Sequence, residues 1–556
     1  MALRRYMKHP CLRFPAGRFI PVLGVIAVAV LALYGHFLSS PLIFDDFSYF
    51  GENIADDLNL RAISVFVVRG LPVASFAWIR ALAGADDIVW QRLGNLSLHI
   101  ANCGLLFLFL RRLFDATLVP ATASRRVDSA RPTLAPPWLA FFGALYFALN
   151  PVAVYGVAYL AQRSTLMATL FALTTWMLFL EGLLRSQRRW LLASCASYLL
   201  AVLSKEHAIM VPAVALALLL LVRKPDRQLL YLTSPAFFLY GLTGAYIYFQ
   251  IKSGGVVGRA YEPNSVNLLT ELNVNPQKSH ALSVLTQGFL YFKYLLLWIV
   301  PNPGWMSVDM QERFARSLWS LPETPAFVAF LLYPVVALRF LLRRGYQGLL
   351  GFSMLAPWLL FATELSTVRI QETFVLYRSY LWMPCLLAAL PFLLQRVAAR
   401  QSFILLAVVS LAMLPASWNR LSTFSDPVRL WDDALRLTKG KEQSSRLGRI
   451  HHNRGVAYSN IQRYQEAIQD FDLGIRYSPG NDLIYNDRAV AYLKTGRYQE
   501  ALRDYNRAIR LNPNEYKPYL GRAQVNEALG NSDEARLDYA RSCQLGVEEV
   551  CHLTGR

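Results

Sequence analysis

Two adjacent aspartates, Asp45 and Asp46, stand in the run PLIFDDFSYF immediately after an apolar stretch at residues 19–38. Neighbouring carboxylates at a membrane edge repel one another, and a proton, a divalent cation or a polar substrate relieves the repulsion. Asp45 is placed to accept the proton of a hydroxyl as a general base, with Asp46 as its neighbour or as a second metal-facing group. The plainer reading is two charges in a solvated loop. A second set is mostly cationic: Gln162 and Arg163 at a bend between two apolar runs, Lys205 and Glu206 in SKEH between two more, and Glu372 and Arg378 in QETFVLYRSY. Lys and Arg so placed hold a phosphate and stabilise charge developing on it as a leaving group, and the planar fork of Arg378 suits that task. Against this stand an ion pair with Glu372 that merely closes a helix junction, and interfacial anchoring by Lys205. Asn95, His99 and Asn102 fall at i, i+4 and i+7, one polar face of an apolar helix. His99 there either meets substrate or serves as a buried hydrogen-bonding group.

The elements that position these residues are membrane-length helices. Of 556 residues, 54% are hydrophobic and 17% charged, with a mean hydropathy of +0.30, which excludes intrinsic disorder and an ordinary soluble enzyme. Apolar stretches recur at 19–38, 93–114, 137–159, 160–181, 190–205, 206–222, 229–250, 283–301, 324–341, 347–362, 374–394 and 400–416. Each approaches the roughly 20 residues a helix needs to cross a bilayer. Basic clusters before 19 and at 111–126, 185–189, 223–227, 339–344 and 396–400 mark the cytoplasmic connections. Loop 39–92, with the aspartates, and the Arg163, Lys205 and Arg378 segments then share the opposite side. The stretch 283–301 carries Lys293 and ends in prolines, so eleven crossings plus one re-entrant, broken or interfacial segment are expected. The formal charge of +19 is thereby a topology signal, and no nucleic-acid partner is expected.

After residue 445 the chain turns polar and acquires a period. Arg454, Arg488 and Arg522, Ala467, Ala501 and Ala535, and Asp470, Asp504 and Asp538 are each spaced by 34, with Pro479 and Pro513 closing the first two units. That is the arithmetic of tetratricopeptide repeats, about three of them, offering a concave surface for a partner. The expected organisation is an all-α chain: a multispan domain at 1–416, a junction at 417–447 that docks the repeats, and a repeat domain at 448–556. Cys543 and Cys551 pair as a disulfide if their side is oxidising, and otherwise remain free thiols.

No Walker sequence, dinucleotide-binding glycine fingerprint or zinc signature occurs. A sugar carried on polyprenyl phosphate is a donor already available outside the cytoplasm, and its phosphate matches the cationic set. The ordered segments FDD, LNPVAVYGVAYLAQRSTLMATLF, LSKEHAIMVP, PNPGWMSVD and ETFVLYRSYLWMP, followed by the repeats, resemble the transmembrane and tetratricopeptide-repeat O-mannosyltransferase-like proteins of the GT-C superfamily. The resemblance implies a GT-C-like helical membrane domain and a glycosyltransferase that uses a lipid-phosphate sugar. It further implies transfer to a protein or glycan hydroxyl, with Asp45 and Asp46 at the catalytic centre. Arg163, Lys205, Glu206, Arg378, His99 and Glu372 are the corresponding candidates for donor phosphate or substrate. A bacterial inner membrane with the repeats in the periplasm is the expected setting, among membrane lipids and with the repeats holding the acceptor.

The chain departs from the family pattern in two places: Ala153 and Gly156 stand where its His and Glu are usual, and the late run QETFVLYRSYLWMP keeps Glu372 but alters the aromatic and Arg arrangement. The competing reading is therefore a non-catalytic scaffold that recruits envelope proteins through its repeats. A lipid-linked sugar transporter is a third, for which no inverted repeat is evident.

Overall fold

The computed structural model describes residues 19–43, 46, 65–83, 88–122, 133–253, 265–310, 312–438 and 444–554. Asp45 lies outside them. The protein is all-helical, with no strand among the described residues, and divides into two compact units. The first comprises Met1–Met306 and Glu312–Ser425, the second Ser307–Gln311 and Asp426–Arg556.

Seven described helices of the first unit are long and apolar enough to cross a membrane, and an eighth is counted if a bent pair is one span. The chain is a multi-pass membrane protein. The expected crossing at 137–159 is that bent pair, Pro136–Ala148 and Pro151–Val157, turned by 61°. The cause is local: Asn150 caps the second helix by accepting from the Val152 amide at 3.0 Å, and Pro151 supplies a first-turn residue with no N–H to satisfy. The expected spans at 190–205 and 206–222 are a helix Arg188–Ser204 and a shorter 3₁₀-to-α segment Glu206–Val222. The stretch 374–394 does not form one crossing, since it folds as 3₁₀ turns and the five-residue helix Leu390–Leu394.

The segment expected to be irregular is instead the unbroken helix Pro276–Ile299. Asn275 caps it, accepting from the Gln277 amide at 2.8 Å. Lys293 does not interrupt it, because its ammonium pairs with Glu312 and lies over the Phe374 ring. A half-buried cation with a carboxylate and a π face beside it is tolerable in a helix that an unpaired one would disrupt.

In the second unit, helices Ser444–Asn460 and Tyr464–Tyr477, Asp482–Lys494 and Tyr498–Leu511, and Lys517–Ala528 and Ser532–Gln544 form three hairpins. The 34-residue period reappears as geometry. Arg454, Arg488 and Arg522 each donate two hydrogen bonds to an aspartate sixteen residues on, Asp470, Asp504 and Asp538, at 2.6–2.8 Å. Between them Phe471, Ile484, Ala489, Ala501 and Tyr505 form the core. Gly455 is small because a Cβ there would stand 2.6 Å from the Phe471 ring. The helix Pro427–Thr438, expected within the junction, belongs to this unit, and Cys543 and Cys551 are joined as a disulfide.

Candidate functional site

The bend at 149–163 explains the polar face of the helix Ile88–Thr122. Interrupting a helix leaves backbone carbonyls without partners, which is costly away from water. His99 Nε2 lies 3.2 Å from the Ala148 carbonyl and Nδ1 lies 2.7 Å from the Tyr380 hydroxyl. Asn102 donates to the Leu166 carbonyl at 3.0 Å, and Ser417 donates to that of Leu149 at 2.6 Å. His99 is fully buried among these contacts, which satisfy groups at the break.

Arg163, a candidate phosphate ligand, is likewise buried among protein partners. Its guanidinium donates to Asn95 Oδ1 at 2.8 Å, to Gln91 Oε1 at 3.0 Å and to the Gln91 carbonyl at 2.6 Å, and lies 3.9 Å over the Phe76 ring. Arg92, which the sequence reading passed over, performs a similar task. It donates to the carbonyls of Ser40, Pro41 and Ala158 at 3.1, 2.6 and 2.7 Å. Asp46, buried, accepts from the Ala161 amide at 2.9 Å and the Ile43 amide at 3.3 Å. The start of the first loop is thus stitched to the bend, one residue from Gln162.

Gln162 leads to the charged centre. Lys205 interrupts the helical backbone after Ser204, and its buried ammonium donates to Thr165 Oγ1 at 2.6 Å and Gln162 Oε1 at 3.2 Å. The Tyr377 ring lies 5.3 Å away. These partners are all uncharged. Its neighbour Glu206 is gripped by Arg69, through Nε at 3.0 Å and Nη2 at 2.5 Å. His207 lies between Glu206 and Glu364, at 3.3 and 2.9 Å, as close contacts lacking aligned hydrogen bonds. Glu364 faces Arg378 at 3.2 Å and Arg369 at 3.4 Å, and Arg378 also reaches Glu372 at 3.0 Å.

Three of the expected residues, Glu206, Glu372 and Arg378, therefore meet in one network, with Lys205 beside it and Asp46 tied next to Lys205 through Ala161 and Gln162. His99 and Arg163 hold the surrounding backbone. Arg69, His207, Glu364 and Arg369 complete the network. Arg69 has a local signature visible only in the backbone, φ +66°, which side-chain-bearing residues rarely adopt. Among the described residues no three His, Cys, Asp or Glu side chains group as metal ligands.

What the fold defines is a multi-pass helical membrane protein with a C-terminal repeat solenoid. Tetratricopeptide repeat family models match residues 448–481 and 483–515. No curated protein matches the chain. Among solved structures it is similar to the arabinofuranosyltransferase AftD from Mycobacteria, with 17% identity, 76% of this chain and 30% of that longer chain covered, and a TM-score of 0.37. It is also similar to the first tetratricopeptide domain of Spaghetti (RPAP3) bound to an HSP90 peptide, with 28% identity, 20% of this chain and 92% of that chain covered, and a TM-score of 0.19.

Proposed function

We propose that the protein is a membrane glycosyltransferase that moves a sugar from a polyprenyl-phosphate donor to a hydroxyl of a protein or glycan. The observation that carries this reading is Lys205, a buried ammonium whose hydrogen-bond and ring partners are all neutral, beside a network in which the other cations face carboxylates. A donor phosphate would give this ammonium a direct anionic partner, which its own hydrogen bonds to Thr165 and Gln162 do not. In the reaction Asp45 takes the proton of the acceptor hydroxyl and the freed oxygen attacks the anomeric carbon. The bond from that carbon to the phosphate oxygen breaks, and the lipid phosphate departs with the electron pair, held by Lys205. The repeats position the acceptor on the same side, the periplasm of a bacterial inner membrane, in keeping with the Cys543–Cys551 disulfide.

One observation favours the scaffold reading. Ala153 and Gly156, where the resembled family carries His and Glu, are buried, and a Cβ at Gly156 would lie 3.0 Å from the Tyr380 ring. The two readings separate in one experiment. Membranes bearing wild type, Asp45→Asn and Lys205→Met are supplied with radiolabelled polyprenyl-phosphate sugar and an extract of acceptor proteins and glycans. An enzyme gives label transfer in wild type that both variants lose, while a scaffold gives none in any of the three and retains its repeat-dependent partners in all.

A further inference from the structure

The connection between the helices Pro276–Ile299 and Glu323–Leu342 carries an apolar tip that the transfer reaction does not use. Its inner side is fixed. Phe314 and Ala315 are buried against Val368 and Ile370, and the Ala315 amide donates to Thr286 Oγ1 at 3.0 Å. The turn beyond is closed by Ser320 Oγ, which donates to the Ser317 carbonyl at 3.0 Å, and by Thr324 Oγ1, which donates to that of Leu318 at 2.8 Å. From this pinned turn Leu318, Trp319 and Leu321 project, 53%, 85% and 70% exposed. Arg316 is exposed on the same short segment, and Arg313, also exposed, faces the Glu323 carboxylate at 3.8 Å.

A rigid turn that displays two leucines and a tryptophan has a partner, because contiguous exposed apolar surface is unfavourable in water. Continuity with its flanks identifies that partner. The tip runs directly into Glu323–Leu342, a span with only 17% of its apolar window buried, whose Val328, Leu331, Leu332 and Val335 are exposed. The preceding span ends with Leu296, Ile299 and Val300 exposed in the same way. Tryptophan favours the headgroup boundary, where its ring meets acyl chains and its N–H meets polar groups, and arginines beside it meet phosphates. We infer that residues 316–321 insert into the bilayer interface at the end of these two spans, with Trp319 at headgroup depth and Arg316 toward the lipid phosphates.

The test uses the full chain in phosphatidylcholine–phosphatidylglycerol nanodiscs, in a Cys11→Ser background. An environment-sensitive fluorophore is placed at Trp319→Cys and, as the positive control, at Leu331→Cys. The expected result is strong quenching at 319 by lipid spin-labelled near the headgroup, as large a fractional loss as deep-labelled lipid produces at 331. Water-like emission at 319 without quenching, while 331 is quenched, overturns the inference and assigns the tip to a protein partner. Should the label disturb the turn, brominated lipid replaces it: wild type then loses a component of tryptophan fluorescence that is missing from Trp319→Phe, and equal quenching of the two overturns the inference.

Discussion

Arg378 donates to the Glu364 carboxylate at 3.2 Å, and both side chains are buried. Glu372 engages the same guanidinium and Arg369 faces the same Glu364. The arginine whose shape best suits a phosphate is thus already neutralised from within, whereas the hydrogen-bond partners of Lys205, Thr165 and Gln162, are neutral. On the proposed reading Lys205 binds the donor phosphate, and the Glu364 cluster holds the 362–380 segment together.

Glu364→Gln keeps the shape but removes the charge that both guanidiniums face. Removing one partner from a buried ion-pair network costs about 3–5 kcal/mol. The variant should melt well below wild type in detergent or nanodiscs, whereas Lys205→Met, which breaks no ion pair, should melt near it. A Glu364→Gln melting point equal to that of wild type would contradict the central role given to this carboxylate.

Arg163 offers the converse case. Its replacement by Met leaves Asn95 Oδ1 and the Gln91 carbonyl without their donor inside the bundle, a loss of about 3 kcal/mol or more. Donor-phosphate binding by whatever fraction remains folded should be unchanged. Isothermal titration with a short-chain polyprenyl phosphate checks this, and a selective loss of affinity at wild-type stability would return Arg163 to the binding site.

How far these roles could be read in advance depended on the range of the interaction. The repeats were fully legible, because a 34-residue period records contacts between neighbouring units, and the sixteen-residue Arg–Asp pairs lie within one hairpin. The bend at Asn150–Pro151 also had a local signal, a capping Asn followed by Pro, hidden inside an apolar run long enough to pass for one crossing. Lys293 misled for a different reason: its partner Glu312 lies nineteen residues on, beyond the helix. The candidate site was legible in residue type but not in assignment. Arg163 meets Gln91 across 72 residues and Arg69 meets Glu206 across 137, and no local pattern distinguishes an arginine that binds substrate from one that ties down backbone.

Gly156→Glu restores the residue type of the resembled family but has no space. The added Cβ meets Tyr380 at 3.0 Å, and overpacking of this kind costs about 1–3 kcal/mol, before the burial of a carboxylate. The substitution should lower the melting temperature and leave transfer no higher than wild type. Gly156→Glu with increased transfer at undiminished stability would show that the departure had cost the chain its activity.

The repeat unit carries a pH dependence whose sign follows from Asp470. Burial alone would push its carboxyl up, but hydrogen bonds from His451 and Arg454 and the charge of the guanidinium outweigh it and hold the carboxyl below the usual aspartate range. A carboxyl with a lower pKa folded than unfolded contributes stability that is whole above the unfolded value, about 3.9, and disappears as pH falls through the folded one. Hydrogen exchange of the amides in 448–481, measured on the full chain, should therefore show protection that holds above the unfolded value and declines on acidification below it. Asp470→Asn should lower protection at neutral pH, where Arg454 keeps only Asp432 of its two charged partners, and flatten the decline. If the variant keeps the wild-type profile, the Asp470–Arg454 pair contributes no net stability, and the ladder of such pairs fixes the register of the repeats without strengthening them.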